Sequence, residues 1–110
     1  MKNDLVYLEH IAEAIQKIEK YLKEVSFEQF SGNDMLIDAV IRELEIIGEA
    51  ANQISGKARD QYPSMPWSQM IGMRNRLIHE YFGVNKKIVW ETCSTDLKEL
   101  RKILATILPR

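Results

Sequence analysis

Three stretches of the chain carry the same apolar rhythm. Leu8, Ile11, Ile15, Ile18, Leu22 and Val25 recur at 3-4-3-4-3 spacing, with glutamates and lysines between them. Ile37, Val40, Leu44, Ile47, Ala51 and Ile54 repeat it, and so do Trp90, Cys93, Leu97, Leu100, Leu104 and Ile107. Positions spaced this way share one stripe of an α-helix. The pattern predicts helices over about residues 5–25, 34–54 and 86–108. Between the first two, Ser26 to Asn33 reads as a break: Ser31-Gly32-Asn33 is turn chemistry, and Ser31 or Asn33 can cap the next helix. Ser55 to Met65 reads as a connector with one helical turn around residues 57–61, closed by Pro63 and Pro66. No stretch carries a strand signal, and there is no internal repeat.

A fourth helix follows Pro66, which suits a first helical turn. Trp67, Met70, Arg74, Leu77 and Tyr81 share one stripe at 3-4-3-4 spacing, widened by Ile71 and Ile78. Gly83 and Asn85 supply a stop, and Asn85 can cap the last helix. Four main helices with short connections predict an all-α fold: an antiparallel bundle of four to five helices, one domain over residues 1–110. The amphipathic surface suits a homodimer.

The fourth helix departs from the others in one respect. Arg74 and Tyr81 fall on its apolar stripe, where a charge is costly unless paired. Asn75 and His79 are i,i+4 neighbours, and His79 stands about 140° round the helix from Arg74. Near a fraying helix end, Arg74 and His79 can still converge on one cleft. In the second helix, Gly48 costs about 1 kcal/mol relative to alanine, and a close helix crossing would offset it. Arg42, Glu45 and Glu49 lie along an adjacent stripe at i,i+3 and i,i+4 spacing. They read either as a surface salt-bridge ladder or as carboxylates that orient the basic side chains of the Arg74 helix; spacing alone favours the ladder.

Composition narrows the class. The chain has 110 residues, 45% hydrophobic and 28% charged, which excludes a disordered polymer. No apolar run approaches the roughly 20 residues that span a bilayer, and residues 1–4 do not begin a signal peptide. The single cysteine excludes an internal disulfide and a cysteine-rich zinc site. A cytoplasmic protein without membrane association is expected. Net charge is −1, but residues 1–55 carry 5 Lys/Arg against 11 Asp/Glu and residues 56–110 carry 10 against 5. A split of that kind can hold phosphate on one side, but charge alone favours the plainer reading of solvated helix faces.

The chemistry on offer is concentrated in residues 73–85. Histidine exchanges a proton near neutral pH, and arginine grips phosphate with a fixed fork of donors. A base for the 2′-hydroxyl, an acid for the leaving oxygen and a cation for the charged intermediate are enough to cleave RNA without a metal. One His and one Arg per chain is a thin set, which two copies in one groove would double. His10 reads as surface, and its distance in sequence from His79 gives no metal site. Cys93, on a helix seam, reads as a small buried hydrophobe. No cofactor is implied.

Arg74-Asn75-Arg76-Leu77-Ile78-His79-Glu80-Tyr81 resembles the R-x4-H-x-Y motif of HepT-like toxins in the HEPN superfamily. The likeness extends over residues 38–50, over Pro63-Ser64-Met65-Pro66-Trp67, and over Tyr81-Phe82-Gly83-Val84 with Val89-Trp90. The resemblance implies an all-helical homodimer whose two motifs form a composite cleft. It implies a toxin encoded beside a minimal nucleotidyltransferase antitoxin, and a metal-independent endoribonuclease acting on RNA. By position, Arg74 and His79 are then catalytic, with Asn75 and Tyr81 supporting. Tyr81 is also the expected site of AMP transfer from the antitoxin, which would place bulk and negative charge beside Arg74. Arg76, Lys86 and Lys87 are expected to hold flanking phosphates, or else to be solvated surface. The alternative is a non-catalytic HEPN dimer that binds nucleotide, RNA or the partner nucleotidyltransferase, which a net charge near zero favours.

Overall fold

The computed structural model describes residues 2–79 and 85–108, with side chains described throughout except at 2, 78 and 79. Every secondary-structure element among them is helical. Helix α1 (Lys2–Tyr21) buries Leu8, Ile11, Ala14, Ile15 and Ile18. It stops short of the predicted Val25. Glu24 adopts a left-handed conformation with φ 60°, which takes the chain out of the helix and leaves Leu22 and Val25 half-buried.

The predicted break contains a short helix, α2 (Phe27–Ser31). Ser26 and Gln29 hold it by a reciprocal cap: the Gln29 N–H donates to Ser26 Oγ (3.1 Å) and the Ser26 N–H donates to Gln29 Oε1 (2.9 Å). The turn lets Phe30 become fully buried, with its ring centroid 5.3 Å from that of Trp90. Asn33, not Ser31, then caps α3 (Asp34–Gln53), its Oδ1 accepting from the Leu36 N–H at 3.0 Å.

Helix α3 is the organising element, packing on α1 along one side and on α5 along another. Its C-terminal end is tied down twice. Arg59 of α4 (Gly56–Gln61) donates from Nη2 to the carbonyls of Ala51 and Asn52, each at 3.2 Å. The Asp4 carboxylate accepts from the Ser55 N–H (2.9 Å) and O–H (2.7 Å). These two bonds, the backbone one first, lower the Asp4 pKa to about 2. They also join the start of α1 to the end of α3, so the two helices run antiparallel. Ser55 meanwhile caps α4 through the Ala58 N–H.

Helix α5 (Trp67–His79) begins one residue after Pro66, whose carbonyl accepts the Met70 N–H at 3.0 Å. Asn85 caps the final helical run by accepting from the Lys87 and Ile88 N–H groups at 2.9 and 3.2 Å. That run comprises α6 (Lys86–Glu91), one π-helical segment (Thr92–Asp96) and α7 (Leu97–Ile107). Residues at its junctions keep right-handed helical angles. The wider π turn shifts the seam. Val89, Cys93, Leu97, Leu100, Leu104 and Leu108 are buried, whereas the predicted seam ends Trp90 and Ile107 are half-buried. Helix α6 meets α2 and α7 meets α1. Among the described residues, no helix is long and apolar enough to cross a membrane.

Candidate active site at the crossing of α3 and α5

The closest approach between α3 and α5 is set by a missing side chain. A Cβ built on Gly48 would lie 2.1 Å from Arg74 Cβ and 2.9 Å from the Met70 carbonyl oxygen. Only glycine fits without moving α5. The cost that Gly48 imposes on α3 is therefore tied to one neighbour, the stem of Arg74.

The head of Arg74 is held by polar groups on both helices. Nη2 lies 2.8 Å from Glu49 Oε2 on α3, and Nη1 donates to Asn75 Oδ1 at 3.0 Å. The charge on the apolar stripe is thus paired. The Arg74 side chain is 28% exposed and that of Glu49 is 55% exposed, so the guanidinium is reachable from solvent. Its Nε is buried and has no hydrogen-bond partner among the described residues. A guanidinium carries five N–H donors, and these contacts engage one terminal nitrogen each. Asn75 turns its amide oxygen toward Arg74, which leaves its amide nitrogen as a donor on an exposed side chain.

The other site expectations are distributed as follows. His79 is the last residue of α5, and its side chain lies outside the described set, as does all of Tyr81. Arg76 is exposed on a different face of α5. It lines an open groove of about 400 Å³ with Gln69, Met73, Asp96, Glu99 and Ile103, so carboxylates share its surroundings. Lys86 donates from Nζ to the Ser31 carbonyl at 2.9 Å, pinning the start of α6 to the end of α2. Lys87 is exposed. Arg42 is exposed and Glu45 half-buried; among the described residues no ion pair links either of them to Glu49. Glu49 reaches across to α5 instead of along its own helix. The sequence-level preference for a ladder gives way to that geometry.

Elsewhere the chemistry is quiet. Burial pushes the Cys93 thiol up to about 12, which keeps it protonated at neutral pH. His10 is exposed and meets the Tyr7 ring edge-on at 6.0 Å. Among the described residues no group of three or more His, Cys, Asp or Glu could hold a metal ion. Sequence reasoning missed the Asp4–Ser55 tether and the Arg59 cap. Both join residues whose pairing no helical period announces.

Comparison with known proteins bears on this arrangement. The family model described as "Ribonuclease HepT-like" matches residues 11–107. A protein of Caldanaerobacter subterraneus, named only as a candidate RNase, is 42% identical over 110 residues, covering 100% of this chain and 98% of its own. A Thermococcus cleftensis protein named "Probable ribonuclease HepT" is 45% identical over 95 residues, 86% of each chain. A Methanocaldococcus jannaschii protein, again a candidate RNase by name, is 38% identical over 96 residues, covering 87% of this chain and 88% of its own. No solved structure gives a significant match.

Proposed function

The chain belongs to the HepT-like ribonuclease family, and from that premise we propose that it is a metal-independent endoribonuclease serving as the toxin of a toxin–antitoxin pair. The observation that carries the reading is Arg74: a cation on an apolar helix stripe, seated against Gly48, paired with Glu49 and bonded to Asn75, yet open to solvent. A phosphate diester has to bring its negative charge to such a group.

In this reading Arg74 binds the scissile phosphate and stabilises the extra charge that develops as the 2′-oxygen attacks. His79, five residues on at the end of α5, transfers the proton, as base toward the 2′-hydroxyl or as acid toward the 5′-oxygen. Asn75 supplies a further donor. A homodimer brings two such sets to one cleft, providing an acid and a base together. Tyr81 is the residue that a nucleotidyltransferase antitoxin modifies with AMP; the added phosphate competes for Arg74 and the adenosine fills the cleft. Of the flanking cations, Lys87 is the freest to meet RNA, since Lys86 is engaged at Ser31 and Arg76 stands near Asp96 and Glu99. The cytoplasm is the compartment where such a substrate and partner are found.

The test is cleavage of labelled transfer and messenger RNA in EDTA by the purified chain beside His79→Ala. Cutting by wild type alone, with 2′,3′-cyclic phosphate ends, is the expected result. A folded, unmodified dimer that leaves all RNA intact would put a nucleotide- or partner-binding module in its place.

A further inference from the structure

We propose that Glu49 is a positioning residue for Arg74, and that Gly48 and Glu49 together form the cradle that aims the guanidinium. The inference rests on the reading of Arg74 as the phosphate-binding cation and deepens it. Three observations converge. The Gly48 notch fixes where the Arg74 stem crosses α3. Glu49, the next residue, meets the far end of the same side chain at 2.8 Å. Between these points Nε is buried without a partner, so the stem has no hydrogen bond of its own to hold it and depends on its two ends.

An exposed ion pair ordinarily contributes little to folding stability. Its effect on direction is larger. A free arginine side chain samples many rotamers, and a reacting group displaced by about 1 Å can lose on the order of 100-fold in rate. Glu49 also carries a negative charge close to where an RNA phosphate would sit, so it weakens RNA binding while it orders the cation. Orientation and attraction therefore pull in opposite directions at this residue. That opposition separates a positioning role from a merely electrostatic or structural one.

The experiment uses the full chain as wild type, Glu49→Gln and Glu49→Asp. It measures kcat and KM on an RNA that wild type cuts, thermal melting, and the ¹⁵N side-chain resonances of Arg74, assigned with Arg74→Lys. Expected for Glu49→Gln are a kcat lower by on the order of 10-fold, a KM equal or lower, an unchanged melting temperature, and Arg74 Nη resonances that merge where those of wild type are separate. Glu49→Asp keeps the charge on a shorter arm and recovers part of kcat. A Glu49→Gln enzyme with wild-type kcat, or with Arg74 resonances like those of wild type, overturns the proposal. If wild type cuts no RNA, the ribonuclease reading falls by itself and the resonances decide: separation lost in Glu49→Gln sustains the cradle, and identical spectra overturn it.

Discussion

Helix α3 makes two crossings, and they are built on different principles. Toward α1 it meets a helix whose inward side chains are Leu8, Ile11, Ala14, Ile15 and Ile18, all at most 4% exposed. Toward α5 it meets Trp67, Met70 and Leu77, which are buried, and in their midst Arg74, which is not. The first crossing is filled with hydrocarbon. The second is narrowed by Gly48 so that a charged side chain can lie across it and still reach solvent. One helix thus anchors the fold on one side and seats a solvent-reaching cation on the other.

Substitutions at the two crossings should therefore fail in different ways. Arg74→Ala and His79→Ala should each lower RNA cleavage by at least 100-fold while circular dichroism and melting stay near wild type; comparable unfolding in either would erase the distinction. Ile11→Ala, at the apolar crossing, should cost about 2–5 kcal/mol in urea unfolding and leave cleavage per folded molecule unchanged. Gly48→Ala should do both. Its methyl group must displace the stem of Arg74, costing about 1–3 kcal/mol and lowering kcat beyond what the lost folded fraction explains.

Two smaller effects lie outside the buried contacts of the two crossings. Asp4 has its carboxyl lowered from 3.8 to about 2 by the Ser55 bonds. A depressed carboxylate stabilises the fold above its unfolded pKa, so this contribution should be intact at pH 5 and lost as pH falls from about 4 through 2. Acid unfolding of Asp4→Asn should show less pH dependence in that window. Cys93, with its thiol pushed up to about 12, should resist iodoacetamide at pH 8 in the native state and react once urea unfolds the chain.

The apolar crossing was legible in the sequence almost residue by residue, because burial repeats with the helical period and the period is visible. Leu8, Ile11, Ile15 and Ile18 needed nothing else. What escaped were features that depend on one contact between distant parts of the chain. The partner of Glu49 was open between a same-helix ladder and α5, because spacing along α3 reports only neighbours on α3. Gly48 announced a close approach but could not say to what. Helix α2 is too short, at about one turn, to show a period, and only the Ser26-x-x-Gln29 capping pattern marks it. For the site itself, Arg74 on an apolar stripe was the legible anomaly, while the roles proposed for the R-x4-H-x-Y residues come from resemblance and not from spacing.

The π-helical segment has a consequence for how this chain tolerates insertions and deletions. Loss of one residue from Thr92–Asp96 would turn the wide turn into an ordinary one, with no break in the helix. The helix downstream would keep its phase, because the π turn spends one extra residue on the rotation that an ordinary α turn makes with one fewer. Val89 and Leu97 would then stand at i,i+7 spacing, still on one stripe, and Leu97, Leu100 and Leu104 would stay in the core with Val89. The wide turn thus absorbs an extra residue and keeps the buried faces of α6 and α7 in line on one continuous rod. Loss of one residue within Thr92–Asp96 should therefore be accepted, whereas loss of one within α7, ahead of Leu104, should not.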